Sequence, residues 1–260
     1  MAMKDASIHP ALAVTDVTRA RAWYAQKLGW QPVFESPGQA IFKIGDSYFS
    51  LFETPNAGTA KNTVMNWNVH GLEAEVARLR RNGVTFEEYD FGEYKTVDGI
   101  MADPGGGKTA WFKDPDGNTI ALLEAPPGQG STHDLSVMLA AADLDRAKKF
   151  YAEKLGFRPV AEFGGFVADY TARDTSFNVY KTDFAGSARN TVAVWRVEGI
   201  VDEVGRLRDR GVTFDEYPPD PGEHYEDGVL YDEKGPINAW FTDSEGNIMA
   251  LSEDRGEVPV

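Results

Sequence analysis

TDVTRARAWYAQKLGW, residues 15–30, returns 127 positions later as ADLDRAKKFYAEKLGF, residues 142–157. In the first copy Asp16 precedes Val17, Ala20, Tyr24 and Leu28, apolar residues at helical spacing, and Gly29 ends the run. Aspartate caps helices because its carboxylate accepts from the unpaired N–H groups of the first turn. Glycine ends them because it adopts left-handed dihedrals without strain. Asp143, Leu144, Ala147, Tyr151, Leu155 and Gly156 repeat every feature. The spacing predicts the same capped helix twice.

Two further matches extend the duplication. NTVMNWNVHGLEAEVARLRRNGVTFEEY (62–89) pairs with NTVAVWRVEGIVDEVGRLRDRGVTFDEY (190–217) at an offset of 128. AWFKDPDGNTIALLE (110–124) pairs with AWFTDSEGNIMALSE (239–253) at an offset of 129. Single-residue steps are what loop insertions leave when the elements around them are kept. The period is too long for a solenoid, so the chain divides into domains at 1–125 and 133–260, joined by a Pro/Gly-rich linker at 126–132. Within each half the pattern predicts a strand (8–14), the capped helix, and strands near 31–35, 40–44 and 47–53. A second strand and helix follow from 63, with Leu72, Val76 and Leu79 on the buried stripe and Gly83 after them. Three more strands complete the half, the last two joined by the turn DPDGN (114–118). Each half reads as βαβββ twice, an α+β fold of four modules in two tandem domains, each a curved open sheet with its helices outside.

Composition excludes several classes of function. The chain carries 26 basic and 41 acidic residues, a net charge of −15. Such a surface repels phosphate backbones and anionic lipid, so neither nucleic acid nor a membrane is expected as a partner. With no cysteine there is no disulfide frame, thiolate metal site or thiol nucleophile. No apolar run approaches the ~18 residues of a membrane span, the N-terminus lacks the features of a signal peptide, and a cytoplasmic location is expected. GGGKT (105–109) is not a phosphate loop, because Ala102 stands where its first glycine belongs.

The repeated residues resemble the vicinal oxygen chelate superfamily, which includes glyoxalases, bleomycin-resistance proteins and extradiol dioxygenases. The motif D-x-x-x-A-x-x-[WF]-Y-x-x-x-LG spans Asp16–Gly29 and Asp143–Gly156, and [WF]F-x-D-x-x-GN spans Trp111–Asn118 and Trp240–Asn247. The resemblance implies a divalent ion on the concave face, held from the first, fourth, fifth and eighth strands. Those positions fall at His9, Ser50, Val64 and Ala121, then at Ser136, Asn178, Val192 and Ala250. A catalytic metal needs about three imidazole or carboxylate ligands. Only His9 qualifies, so no metal and no other cofactor is expected. Glu124 and Glu253 lie three residues past the alanines, on the opposite strand face.

Strand alternation nominates other inward residues, with one hollow expected per half. The fourth strands offer Tyr48, Ser50 and Phe52, then Ser176, Asn178 and Tyr180. The fifth offer Val64, Asn66 and Asn68, then Val192, Val194 and Arg196. Apolar walls with sparse amides and hydroxyls suit an organic ligand, and Arg196 is a natural anchor for a carboxylate or phosphate. Trp67, Trp195, Trp111 and Trp240 recur at equivalent positions, as core residues do. His9, His224 and Glu93, the last two in the divergent segments before the seventh strands, are the candidate bases. The leading expectation is a metal-independent protein that sequesters or carries a small, partly aromatic compound. The alternatives are a metal-free isomerase, cyclase or lyase of secondary metabolism, and a metal-dependent glyoxalase or dioxygenase with displaced ligands. Fusion of the halves supplies the pairing that single-domain relatives reach by dimerising, so a monomer is expected, with a homodimer as the alternative.

Overall fold

The computed structural model describes residues 3–92, 94–126, 128, 133–233 and 235–254. Module one runs β1 (Ser7–Val14), α1 (Val17–Trp23), β2 (Pro32–Ser36), β3 (Gln39–Ile44) and β4 (Ser47–Glu53). Module two runs β5 (Thr63–Asn68), α2 (Leu72–Arg81), β6 (Thr96–Val97), β7 (Ile100–Ala102), β8 (Lys108–Lys113) and β9 (Thr119–Glu124). Module three repeats the first as β10 (Leu135–Ala141), α3 (Leu144–Phe150), β11 (Ala161–Phe163), β12 (Val167–Ala172) and β13 (Thr175–Lys181). Module four repeats the second as β14 (Thr191–Arg196), α4 (Ile200–Asp209), β15 (Phe214–Asp215), β16 (Glu223–Glu226), β17 (Val229–Asp232), β18 (Ile237–Thr242) and β19 (Ile248–Glu253).

The expected caps are in place. Asp16 accepts from the backbone N–H of Arg19 and Asp143 from that of Arg146, while Gly29 (φ 80°) and Gly156 (φ 85°) end the helical runs in the left-handed region. Each run ends in a π turn, Tyr24–Leu28 and Tyr151–Leu155. Glu124 and Glu253 occupy the outer strand face and accept from the first N–H groups of α2 and α4, Gly71 at 2.7 Å and Gly199 at 2.9 Å. Of the expected linker, residues 127 and 129–132 lie outside the described residues.

The sheets are not closed within the halves. β1 pairs antiparallel with β14, and β10 with β5, giving the orders β16-β17-β18-β19-β14-β1-β4-β3-β2 and β11-β12-β13-β10-β5-β9-β8-β7-β6. Module one shares a sheet with module four, and module two with module three. Modules of one half meet instead through their helix-covered faces: Trp30 lies 4.6 Å from Trp67 between ring centroids, and Phe157 lies 5.1 Å from Trp195. Alternation along a strand says which face is buried and is silent about which strand lies alongside, so both pairings satisfied the sequence.

The repeated turns tie these layers together. Tyr24 Oη donates to Asp114 at 3.0 Å, and Asn118 Nδ2 donates to the Ala13 carbonyl at 2.9 Å. Tyr151 and Asp243 (2.8 Å) and Asn247 and Ala140 (2.8 Å) repeat both bonds. Gly246, at φ +87°, lies against Gly186, and an added Cβ would meet the Gly186 Cα at 2.8 Å. Gly246→Ala is therefore expected to cost about 2–3 kcal/mol, from left-handed strain together with a backbone clash. Urea denaturation would show it as a lower midpoint at unchanged slope.

Candidate functional site

The concave face of the first sheet holds a hollow of about 260 Å³, and an adjoining cavity of about 390 Å³ shares His9, Tyr48, Arg196 and Ser252 with it. Its position follows from strand parity. Leu12, Leu51, Trp195 and Leu251 bury themselves under the helices, so the alternate residues of the same strands face inward. β1 contributes His9, β4 contributes Tyr48, Ser50 and Phe52, and β14 contributes Val194 and Arg196. Ala250 and Ser252 of β19 and Trp240 of β18 add to the wall. Tyr48, Phe52 and Trp240 give this wall aromatic area, and His9, Ser50, Arg196 and Ser252 give it hydrogen-bonding groups, the mixture expected of an organic-ligand site.

His9 and Arg196 dominate the electrostatics. His9 Nε2 lies 3.0 Å from Ser7 Oγ, and the ring meets Tyr48 edge-on at 5.9 Å. Burial, reinforced by the positive charge of Arg196, pulls the imidazole pKa down to about 4. At neutral pH His9 is an uncharged hydrogen-bonding group. Arg196 donates from Nη1 to Ser252 Oγ (3.0 Å) and to Asp254 Oδ1 (2.7 Å). Desolvation lowers the Arg196 pKa and raises that of Asp254.

An imidazole depressed in the fold favours the native state while it is neutral. That contribution is complete above the ordinary histidine value of 6.5 and drains away as the pH falls toward about 4. A proton-detected titration of the His9 ring is expected to show no protonation at pH 6, and Arg196→Met to move its midpoint upward. A midpoint of 6 or higher in the unmodified chain would contradict the assigned environment.

Ser136, Asn178, Tyr180, Asn66 and Asn68 come together on the concave side of the second sheet, not in the two separate hollows expected. They largely bond locally: Ser136 Oγ lies 2.6 Å from Ser176 Oγ, Asn178 Nδ2 donates to Asp169, Tyr180 Oη donates to the Thr63 carbonyl at 3.2 Å, and Asn68 Nδ2 donates to the His133 carbonyl at 2.7 Å. Asn66 sits opposite Ser136 in register and is buried. His224 is exposed on β16 and stacks on Tyr231 at 5.3 Å, away from the wall of the hollow. Glu93 lies outside the described residues.

A family model for the Glyoxalase/Bleomycin resistance protein/Dioxygenase superfamily matches residues 7–122 and 135–251. The chain belongs to this superfamily. Among solved structures, glyoxalase I from Zea mays is similar at 16% identity, covering 96% of this chain and 94% of that one with a TM-score of 0.65. Its V278E mutant is similar at 15% identity, covering 96% and 94% with a TM-score of 0.68. No curated protein sequence matches the chain significantly. At these identities the structural likeness speaks for the fold.

Superfamily membership poses the question of a divalent ion, and the donor set answers it in chemical terms. Register shifts in β5 and β14 turn Val64 and Val192 into the core, so the inward partners of Ala121 and Ala250 are Asn66 and Val194. The first sheet then offers His9, Ser50, Val194 and Ala250, and the second Ser136, Asn178, Asn66 and Ala121. Among the described residues no three His, Cys, Asp or Glu side chains come together in a metal-holding group. These residues do not fit a catalytic metal centre, which takes about three such donors.

Trp240 and Ser252 of the hollow and Asp254 of the adjoining cavity are among the lining residues that escaped the sequence reading. Trp240 is not core: Ala239 and Phe241 beside it are fully buried, and the alternation that placed the fifth strand would have placed Trp240 inward too. Ser252 follows from the same rule. Asp254 lies past the last strand, where no periodicity reaches. No helix among the described residues is long and apolar enough to cross a membrane.

Proposed function

We propose that the chain binds a small organic molecule with a partly aromatic body in the hollow of the first sheet, without a divalent metal, and sequesters or carries it. The observation that carries this reading is the wall itself. Tyr48, Phe52 and Trp240 supply apolar area, Ser50, Ser252 and Arg196 supply orientation, and one imidazole stands where a metal would need several donors. The reading of a metal-free isomerase, cyclase or lyase is weaker because His9, with a pKa of about 4, accepts protons poorly near neutrality.

Calorimetric titration in chelator-containing buffer tests the proposal, with 2-naphthamide as a neutral aromatic probe. Saturable binding near one molecule per chain is expected, and Trp240→Ala is expected to weaken it about tenfold through lost contact area and ring packing. No saturable heat with this or comparable aromatic probes would remove the proposal.

A further inference from the structure

Arg196, Ser252 and Asp254 form a charged step on the wall of the first hollow that the second sheet lacks. The repeat-equivalent positions there hold Asn68, Leu123 and Ala125, and Asn68 is spent on the His133 carbonyl. The fold is built equally well without this step, so folding does not require it. Asp254 follows β19 directly and shares the parity of Ala250 and Ser252, which brings its carboxylate over the inward face. The Arg196 and Asp254 side chains are each only 18% exposed. A guanidinium presents five N–H donors, yet the bonds of Arg196 run from Nη1 alone among the described residues. Nε and Nη2 remain available on a side chain that lines both the hollow and the adjoining cavity.

A desolvated ion pair of this kind is a weak stabiliser, because the cost of removing two charges from water offsets most of their attraction. It is therefore readily exchanged for another pair of the same chemistry. The group already seated on Arg196 is a carboxylate, so a carboxylate is the shape that fits. Asp46, Asp174, Glu198 and Glu253 surround the adjoining cavity, and their negative field disfavours a phosphate dianion more than a monoanion.

We propose that the first hollow takes an aromatic monocarboxylic acid, whose carboxylate displaces Asp254 from Arg196 while its ring lies against Tyr48, Phe52 and Trp240. Asp254 is then an internal competitor that sets the affinity of the site. This rests on the hollow being the binding site, and it adds the ligand's charge and the residue that yields to it.

The test compares 2-naphthoate with 2-naphthamide, equal in shape and different in charge, on the full chain at neutral pH. The unmodified protein is expected to prefer the acid. In Asp254→Asn the ratio of acid to amide affinity is expected to rise at least tenfold, and in Arg196→Met the preference is expected to vanish. Asp254→Ser serves as a second variant, and thermal melting gives a second readout: both Asp254 variants melt lower and are expected to regain more on adding 2-naphthoate than the unmodified chain gains. A ratio within twofold of the unmodified protein in both Asp254 variants overturns the displacement. An amide that binds while the acid does not, in the unmodified chain or in either Asp254 variant, overturns the ligand class and leaves the hollow standing as a neutral site. If neither probe binds any of them, the binding site and this inference fail together.

Discussion

Asp243→Ala is expected to destabilise the fold by about 3–5 kcal/mol, the cost of removing one partner from a buried charged network. Asp243 is 6% exposed. One carboxylate oxygen accepts from the backbone N–H groups of Glu245 (2.8 Å) and Asn247 (2.9 Å). The other accepts from Tyr151 Oη (2.8 Å) and Asn247 Nδ2 (2.8 Å). Truncation removes the acceptor of all four bonds. Tyr151→Phe removes only one donor and is expected to cost about 1 kcal/mol. With Asp243→Ala already present the tyrosine change should cost less still, since its partner is gone. Asp114 holds the same four groups in the first half and is expected to behave alike. Urea denaturation of the single and double variants measures this. A loss below about 1 kcal/mol for Asp243→Ala would mean that the motif aspartate is held for something other than the fold.

A chain ending at residue 126 is expected not to fold as a monomer. Alone, the first half loses β14 from beside β1 and β10 from beside β5, two central pairings of the two sheets. Its own modules cannot replace them without unpacking, because Tyr24–Asp114 and Trp30–Trp67 hold the helix-covered faces together. The remaining solution is a second copy of the half, each supplying the module the other lacks, with stability that depends on concentration. Sedimentation with circular dichroism is expected to show a dimer at high concentration that dissociates and unfolds together on dilution. A folded monomer at micromolar concentration would contradict the cross-half pairing.

Much of this architecture was legible in the residues, for identifiable reasons. Asp16 and Gly29 are local devices whose chemistry does not depend on the rest of the fold, and their recurrence at Asp143 and Gly156 gave the duplication. Alternation likewise gave the inward parity of Ser50, Phe52 and Arg196, while assigning the first two and the third to different hollows. What the sequence withheld were long-range choices. Ser50 was expected beside Asn66 and Asn68, yet its sheet closes with β14 of the other half, because inward parity is the same whichever strand lies alongside. Bulges at Val64 and Val192 shifted the inward set by residues that no pattern marks. His224 had chemistry and lacked position, since an edge strand can point its side chains at solvent. Trp240 was legible and misassigned: recurrence at Trp111 suggested packing, when alternation against the buried Phe241 pointed into the hollow.

Native mass spectrometry of freshly purified full chain, read for metal and organic mass together, addresses the proposed function most directly. The proposal predicts a chain that carries no stoichiometric divalent ion and that gains the mass of one aromatic ligand when 2-naphthoate is added in the presence of chelator. One tightly held divalent ion per chain, retained through brief chelation and required for that ligand to bind, would contradict it.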